Sequence, residues 1–355
     1  MFQFNPQTLK KLRRFREIKR GYYSFLLLVG LLLLLAFGEL LVNSRAIIVK
    51  YEGEYFFPTY TAFHPGTDFG FDYSYEVNYR DLRDRFEAEG GDNWVLMPPV
   101  PYSAYENNGH GGVFRPTPPS TENQHYLGTD TTSRDILARL FYGTRIALIF
   151  SLAFTAWVYL IGISVGCAMG YFGGAFDLFF QRIIEIWSNI PFLYMVIIVF
   201  SVIPSSLSIP ARIGILLAVM VLFSWTGMTY NMRTETYKEK ARDYVAAARI
   251  LGASDTRIVF RHILPNVLAT LVTFMPFVMV SAIGAITALD FLGFGLPPPT
   301  PSLGELLKQG TANLRTAPWI VSAAFVTLVF LLTLITFIGE AVRESFDPKK
   351  FTVYR

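Results

Sequence analysis

The sequence predicts an all-α membrane protein of six transmembrane helices, with a long insertion between the first two. Three observations predict it. The 355 residues are 52% hydrophobic and only 16% charged, with mean hydropathy +0.37, whereas soluble domains carry roughly a quarter of their residues as charges. Six stretches approach the roughly 20 apolar residues that a bilayer core demands: 22–42, 146–171, 186–203, 213–232, 264–289 and 316–339. Residues 43–143, between the first two, are polar, acidic and aromatic, unlike any span.

The first span, "YYSFLLLVGLLLLLAFGELLV", holds one charge, Glu39, near its far end, where a carboxylate can reach the interface. Its apolar core exceeds a signal peptide's length, and "GELLVNSRA" offers no clean small-x-small cleavage site, so it is read as a retained anchor. Residues 1–21 carry Lys10, Lys11, Arg13, Arg14, Arg16, Lys19 and Arg20 against Glu17. That excess predicts a cytoplasmic amino terminus. Six spans return the tail 341–355, with Arg343, Lys349 and Lys350, to the same side, and put 233–264, with Arg242, Arg249, Arg257 and Arg261, there too. The insertion 43–143 then falls in the periplasm. Arg134, Arg139 and Arg145 crowd the outer end of span two; charge beside a long loop is a weak determinant of orientation.

Within the insertion, "AIIVKYEGEYFFPTY" alternates around Glu52-Gly53 and reads as a β-hairpin. Residues 79–89 read as a charged helix ended by Gly90-Gly91, and "MPPVPY" and "RPTPPS" as extended connectors. Many Tyr and Phe argue for order. The module is either a docking surface for a soluble partner or a passive cover on the outer face. In "HYLGTDTTSRDILARLFYGTRIAL", Asp130 or Thr132 can cap a helix beginning near Ser133, with Asp135 in its first turn. His125, Asp130 and Asp135 match no zinc spacing, so they are assigned to capping and packing rather than to a metal.

The core 144–340 holds further signals. Gly162, Gly166 and Gly170 recur every fourth residue on one helical face, so a neighbouring backbone can approach closely, as a static or a sliding contact. Arg182 and Glu185 are spaced to pair, and Pro191 should kink span three. The lone Cys167 permits no internal disulfide and reads as a small packing residue. Asp290, near the outer end of span five, is either a polar residue lining a pathway or a helix end facing water. There is no G-x-x-x-x-G-K-[ST] loop, no G-x-S-x-G elbow, no H-E-x-x-H pair and no Cys/His cluster. Nor does any span carry the chain of buried carboxylates expected of a proton-driven pump. No catalytic or metal residue is assigned, and any energy must enter through another chain.

The most informative stretch is "DYVAAARILGASDTRIVFRHILPN", residues 243–266, too charged to cross a bilayer yet patterned as ordered structure. Residues 244–251 are good helix formers, with Ala246, Ala247 and Ala248 leaving a nearly bare surface flanked by Tyr244 and Val245. Gly252 suits the left-handed residue that ends a helix, followed by Ala253, and Ser254 can cap a second helix. That helix runs into Leu264-Pro265 at the start of span five, where proline is tolerated. The product is a stiff elbow that fits a groove in a cytoplasmic partner; an amphipathic helix lying on anionic lipid explains neither the alanines nor the glycine turn.

This stretch resembles the E-A-A…G…L-P loop of ABC-importer permeases, with Ala247, Ala248, Gly252, Leu264 and Pro265 matching and Ala246 where the family often has glutamate. "HYLGTDTTSRD" is similar to the H-x-L-G-T-D-x-x-G-R-D signature of dipeptide and oligopeptide permeases, with Ser133 for the second glycine. "LDFLGFGLPPPTPSLGELL" resembles their L-S-F-L-G-L-G…P-P-x-P-S-W-G stretch, departing at Asp290 and Leu303. With the long insertion, the likeness is nearest to the branch importing peptides and microcin C. The resemblance implies the type I importer permease fold and a bacterial inner-membrane location. It implies a second homologous permease, an ABC ATPase with two nucleotide-binding domains, and a periplasmic substrate-binding protein as partners. ATP and magnesium would sit on the ATPase, with no cofactor in this chain. Lipid is an expected contact and nucleic acid is not. Nickel, glutathione or opine cargo, or a membrane-anchored receptor or scaffold, are the competing readings.

Overall fold

The computed structural model describes residues 6–108, 114–204 and 206–346, so Lys349 and Lys350 lie outside the described residues. Five helices are long and apolar enough to cross a membrane, or six if one bent pair counts as a single span. The chain enters through α1 (Pro6–Glu17), α2 (Lys19–Ala36) and the short α3 (Gly38–Leu41). The start of α2 lies against the end of α14 (Pro318–Phe346): a Cβ added to Gly21 would fall 2.0 Å from that of Ala341. Both described ends of the chain therefore share one face of the helical body.

The insertion stands at the other face. Strands β1 (Ile48–Tyr51) and β2 (Glu54–Phe56) form the predicted hairpin about Glu52 and Gly53, both with positive φ (51° and 86°), the twist that a two-residue hairpin turn favours. A third strand, β3 (Trp94–Leu96), pairs with the free edge of β1 in the order β2-β1-β3. Helix α4 (Tyr79–Glu89) starts at Asn78, whose side chain accepts from the Arg80 amide, and ends at Gly90 (φ 65°). Leu82 and Phe86 on α4 join Val49 and Phe69 in a buried core separate from that of the spans. Three strands backed by a helix meet the minimum for independent stability that a lone hairpin lacks.

The long α5 (Ile136–Phe172) begins three residues later than predicted. Ser133 has φ +61°, a left-handed value that an α-helix cannot hold, so the cap falls to Asp135, whose Oδ1 accepts from the Ala138 amide at 2.8 Å. Asp130 and Thr132 stay in the turn before it, where Asp130 accepts from the Thr132 and Arg134 amides. His125 Nδ1 lies 2.8 Å from Asp135 Oδ2. The three arginines that crowd this end are all paired: Arg134 with Asp130 and Glu305, Arg139 with Glu305, and Arg145 with Glu39.

Helix α8 (Ile209–Lys240) lies along α5, brought close by the glycine stripe. An added Cβ would sit 2.7 Å from Met228 Cβ at Gly162, 2.4 Å from the Thr229 carbonyl at Gly166, and 2.7 Å from the Arg233 carbonyl at Gly170. Span three is broken, where a kink is predicted. Helices α6 (Gly174–Ser188) and α7 (Phe192–Val202) meet at 73°, because Pro191 lacks an amide proton and becomes the residue before α7. Span five is likewise interrupted: α11 (Leu264–Leu271) and α12 (Met275–Leu292) flank a 3₁₀ turn, Val272–Phe274. Pro276 cannot donate to the Val272 carbonyl, which tightens the chain there. After α12, α13 (Leu303–Ala312) folds back against α12, α14 and α5 at the insertion face.

Candidate functional site

Between α8 and α11 the chain forms the predicted elbow on the face that holds both described chain ends. Helix α9 (Asp243–Ile250) closes with two hydrogen bonds, Ala253 N to the Ala248 carbonyl and Gly252 N to the Arg249 carbonyl, each 3.0 Å. With Gly252 at φ +78°, this is the paired-bond termination that left-handed glycine makes possible. Ser254 then caps α10 (Asp255–Arg257), its Oγ accepting from the Arg257 amide. A π-helical turn, Ile258–Ile263, joins α10 to α11 without a gap. Pro265, at the start of α11, cannot donate to the Arg261 carbonyl, so the wider turn falls where that bond is missing. The elbow is thus continuous with the helix that follows it.

Two tyrosines tie the elbow to the spans. Tyr171, near the end of α5, donates to Asp255 Oδ1 at 2.5 Å and accepts from Arg249 at 3.3 Å, while Lys240 donates to its carbonyl. Tyr244 donates to Glu239 at 2.6 Å and accepts from Asn266 at 3.1 Å, joining the ends of α8 and α9 to α11. Burial, then the Glu239 carboxylate, pushes the Tyr244 phenol above its usual pKa. Tyr244 and Val245, expected to flank the docking surface, turn inward instead: Val245 is 2% exposed and belongs to the main core. Their apolar bodies hold α9 down.

What α9 presents outward is Ala246, Ala247, Ile250 and Leu251, with Ala248 and Ala253 half-buried. Ile250 and Leu251 are 86% and 85% exposed, more than any other large apolar residue described. Sequence reasoning missed them, since aliphatic residues in a helix read first as core; their place immediately before Gly252 was the available signal. Around the tip lie Arg242, Arg249, Arg257 and Arg261, all exposed. The result is an apolar point in a basic rim on a stiff mount, the kind of exposed apolar feature that marks interaction sites.

Asp290 lies at the opposite face, largely buried within this chain. It is 8% exposed, accepts from Ser302 Oγ and the Leu296 amide at 2.5 Å each, and staples the 294–302 segment over the end of α12. Ser302 and the Leu296 amide give the buried carboxyl group its hydrogen-bond partners. Among the described residues there is no group of three His, Cys, Asp or Glu side chains able to hold a metal.

Residues 162–352, which hold the glycine stripe, the elbow and the last two spans, match the family described as "Binding-protein-dependent transport system inner membrane component". The chain belongs to that family. It is 41% identical over 355 residues to the "Inner membrane ABC transporter permease protein YejE" of Escherichia coli (strain K12), covering 99% of each chain. It is 38% identical to the "Peptidoglycan transport system permease protein YejE" of Agrobacterium fabrum, covering 98% of this chain and 94% of that one. It is 34% identical to the "Dipeptide transport system permease protein DppC" of Haemophilus influenzae, over 72% of this chain and 85% of that one. The chain is accordingly a multi-pass permease of the inner membrane, with the type I ABC-importer architecture.

Proposed function

We propose that this permease is one of two membrane subunits of an importer that carries peptides or peptide-like compounds, microcin C among them, from the periplasm to the cytoplasm. The relatives named for peptidoglycan and dipeptide transport support that cargo class. The elbow is the handle that a separate ATPase grips, and its face is cytoplasmic, in keeping with the arginines around it and near both chain ends. A homologous permease completes the path, two nucleotide-binding domains supply ATP and magnesium, and a periplasmic binding protein delivers cargo. The observation that carries this reading is the Ile250-Leu251 tip, exposed on a loop hydrogen-bonded to α5 and continuous with α11. Movement of whatever holds the tip is thereby passed to two spans.

Purification of the tagged chain in mild detergent tests the assembly. The expected result is recovery of one further permease and two ATPase domains per pair, with peptide-stimulated ATP hydrolysis. Recovery of this chain without any ATPase would leave a receptor or scaffold as the better reading.

A further inference from the structure

A concavity of about 420 Å³ opens between α5, α7, α8 and α12, within the size range of ligand pockets. Its walls are apolar except at Ser224 and Asn231 on α8 and Ser281 on α12, and no charged side chain lines it. All three are exposed within the body of the spans, and none makes a side-chain hydrogen bond among the described residues. Elsewhere in the same helices Ser151, Thr155, Ser164 and Thr229 return their hydroxyls to their own helix carbonyls. Three helical positions that leave polar groups unpaired at one hollow are ill suited to hydrocarbon, where each would lack a partner. Water or a polar ligand fits them.

Gly227 extends the same argument. It sits inside α8, where glycine weakens a helix, yet a Cβ added there would meet nothing within 4 Å among the described residues, unlike the three glycines of the α5 stripe. It does not serve packing within this chain. It lies on the wall of the hollow, and its missing side chain leaves that space open.

We propose that this hollow is the chain's wall of the solute path and that it holds an uncharged amide backbone through Ser224, Asn231 and Ser281. The assignment rests on the importer reading above. A carboxamide both donates and accepts, so Asn231 matches a peptide group in either direction, and the two hydroxyls do the same. Met220 and Met228 border the hollow from the core and make that part of its wall apolar. The absence of charge leaves acidic and basic peptides equally acceptable at this point. Selection by charge then belongs elsewhere in the assembly.

The test uses the complete importer in proteoliposomes, with Cys167→Ala removing the native thiol, and a membrane-impermeant cationic thiol reagent. Ser224→Cys and Ser281→Cys, made separately, should be modified; a neutral tripeptide should slow that modification about tenfold; and modification should stop uptake. Val326→Cys, on an exposed apolar face of α14, should stay unmodified. Gly227→Leu should abolish uptake while leaving assembly and ATP hydrolysis in place. Protection of Ser224→Cys and Ser281→Cys only by the second permease would overturn the proposal in favour of a helix interface. Modification no faster than at Val326→Cys would overturn it in favour of lipid cover, and normal uptake by Gly227→Leu would also defeat it. Peptide uptake by the unsubstituted complex reports on the importer reading separately, so intact uptake without peptide protection condemns this site alone.

Discussion

The hydroxyl of Tyr171, at the end of α5, donates to the carboxylate of Asp255, at the start of the elbow's second helix, over 2.5 Å. The two residues are 84 positions apart, and this bond is what makes the elbow part of α5 as well as of α11. Arg249, accepted by the same hydroxyl at 3.3 Å, brings α9 into the joint. A push on α9 therefore reaches α5 through charge-assisted hydrogen bonds, which are stronger than neutral ones, and α11 through the unbroken helical chain.

Cutting that joint should separate ATP hydrolysis from movement. Tyr171→Phe removes the donor and keeps the ring; Asp255→Asn keeps the shape and removes the charge. Both variants should insert and bind the ATPase, hydrolyse ATP, and import at a rate reduced by about tenfold. Parallel measurement of phosphate release and uptake in vesicles gives the ratio; an unchanged ratio in both variants would remove the joint from the mechanism.

The exposed tip should carry most of the grip. Burying one aliphatic side chain is worth about 1.5–3 kcal/mol, so Leu251→Asp should weaken ATPase binding by one to two orders of magnitude, and Ile250→Asp similarly. Neither side chain is buried within this chain, so expression and thermal stability should not change. Titration of purified ATPase against the solubilised permease checks both.

The glycine stripe should not tolerate side chains. Gly166→Ala places a methyl 2.4 Å from the Thr229 carbonyl, an overlap that backbone must yield to. Overpacking of this kind costs about 1–3 kcal/mol, and a lowered melting temperature in detergent is the expected reading. Gly30→Ala, where the new methyl meets nothing within 4 Å among the described residues, should melt like the parent.

At the insertion face, Arg139 is fully buried and depends on Glu305, with Asp130 and the Ala104 carbonyl nearby. Glu305→Gln should destabilise the fold by about 1.5–3 kcal/mol, because Arg139 loses its nearer carboxylate and keeps only Asp130 at 3.6 Å. The double change Arg139→Met with Glu305→Leu should recover part of that loss, because the buried Arg139 charge is gone and Arg134 keeps Asp130. Differential scanning fluorimetry of the parent and the two variants distinguishes the outcomes; a double variant no more stable than Glu305→Gln would contradict the pairing.

Much of this architecture was legible because the membrane writes it plainly. Uncharged runs gave the spans, alternation around Glu52-Gly53 gave the hairpin, and residues 79–89 form the helix their capping residues announced. The elbow was legible through Gly252, whose left-handed backbone few other residues adopt. Other features depended on contacts that no local pattern carries. Residues Trp94–Leu96 are too few to show a strand period, and they become one only beside β1. Pro191 announces a bend but not its size, and the two helices meet there at 73°. Asp290 gives no local sign of its partner, Ser302, which lies twelve positions on. The arginines beside span two seemed to oppose the charge rule, but Glu39, Asp130 and Glu305 neutralise them in the folded state.

The central claim is that a separate ATP-hydrolysing subunit grips the apolar tip of the elbow and moves it. A photoreactive residue at Leu251, in the assembled complex with and without ATP, measures this most directly. The expected result is a crosslink to the ATPase whose yield changes with nucleotide. Crosslinks to lipid alone, indifferent to nucleotide, would contradict the account.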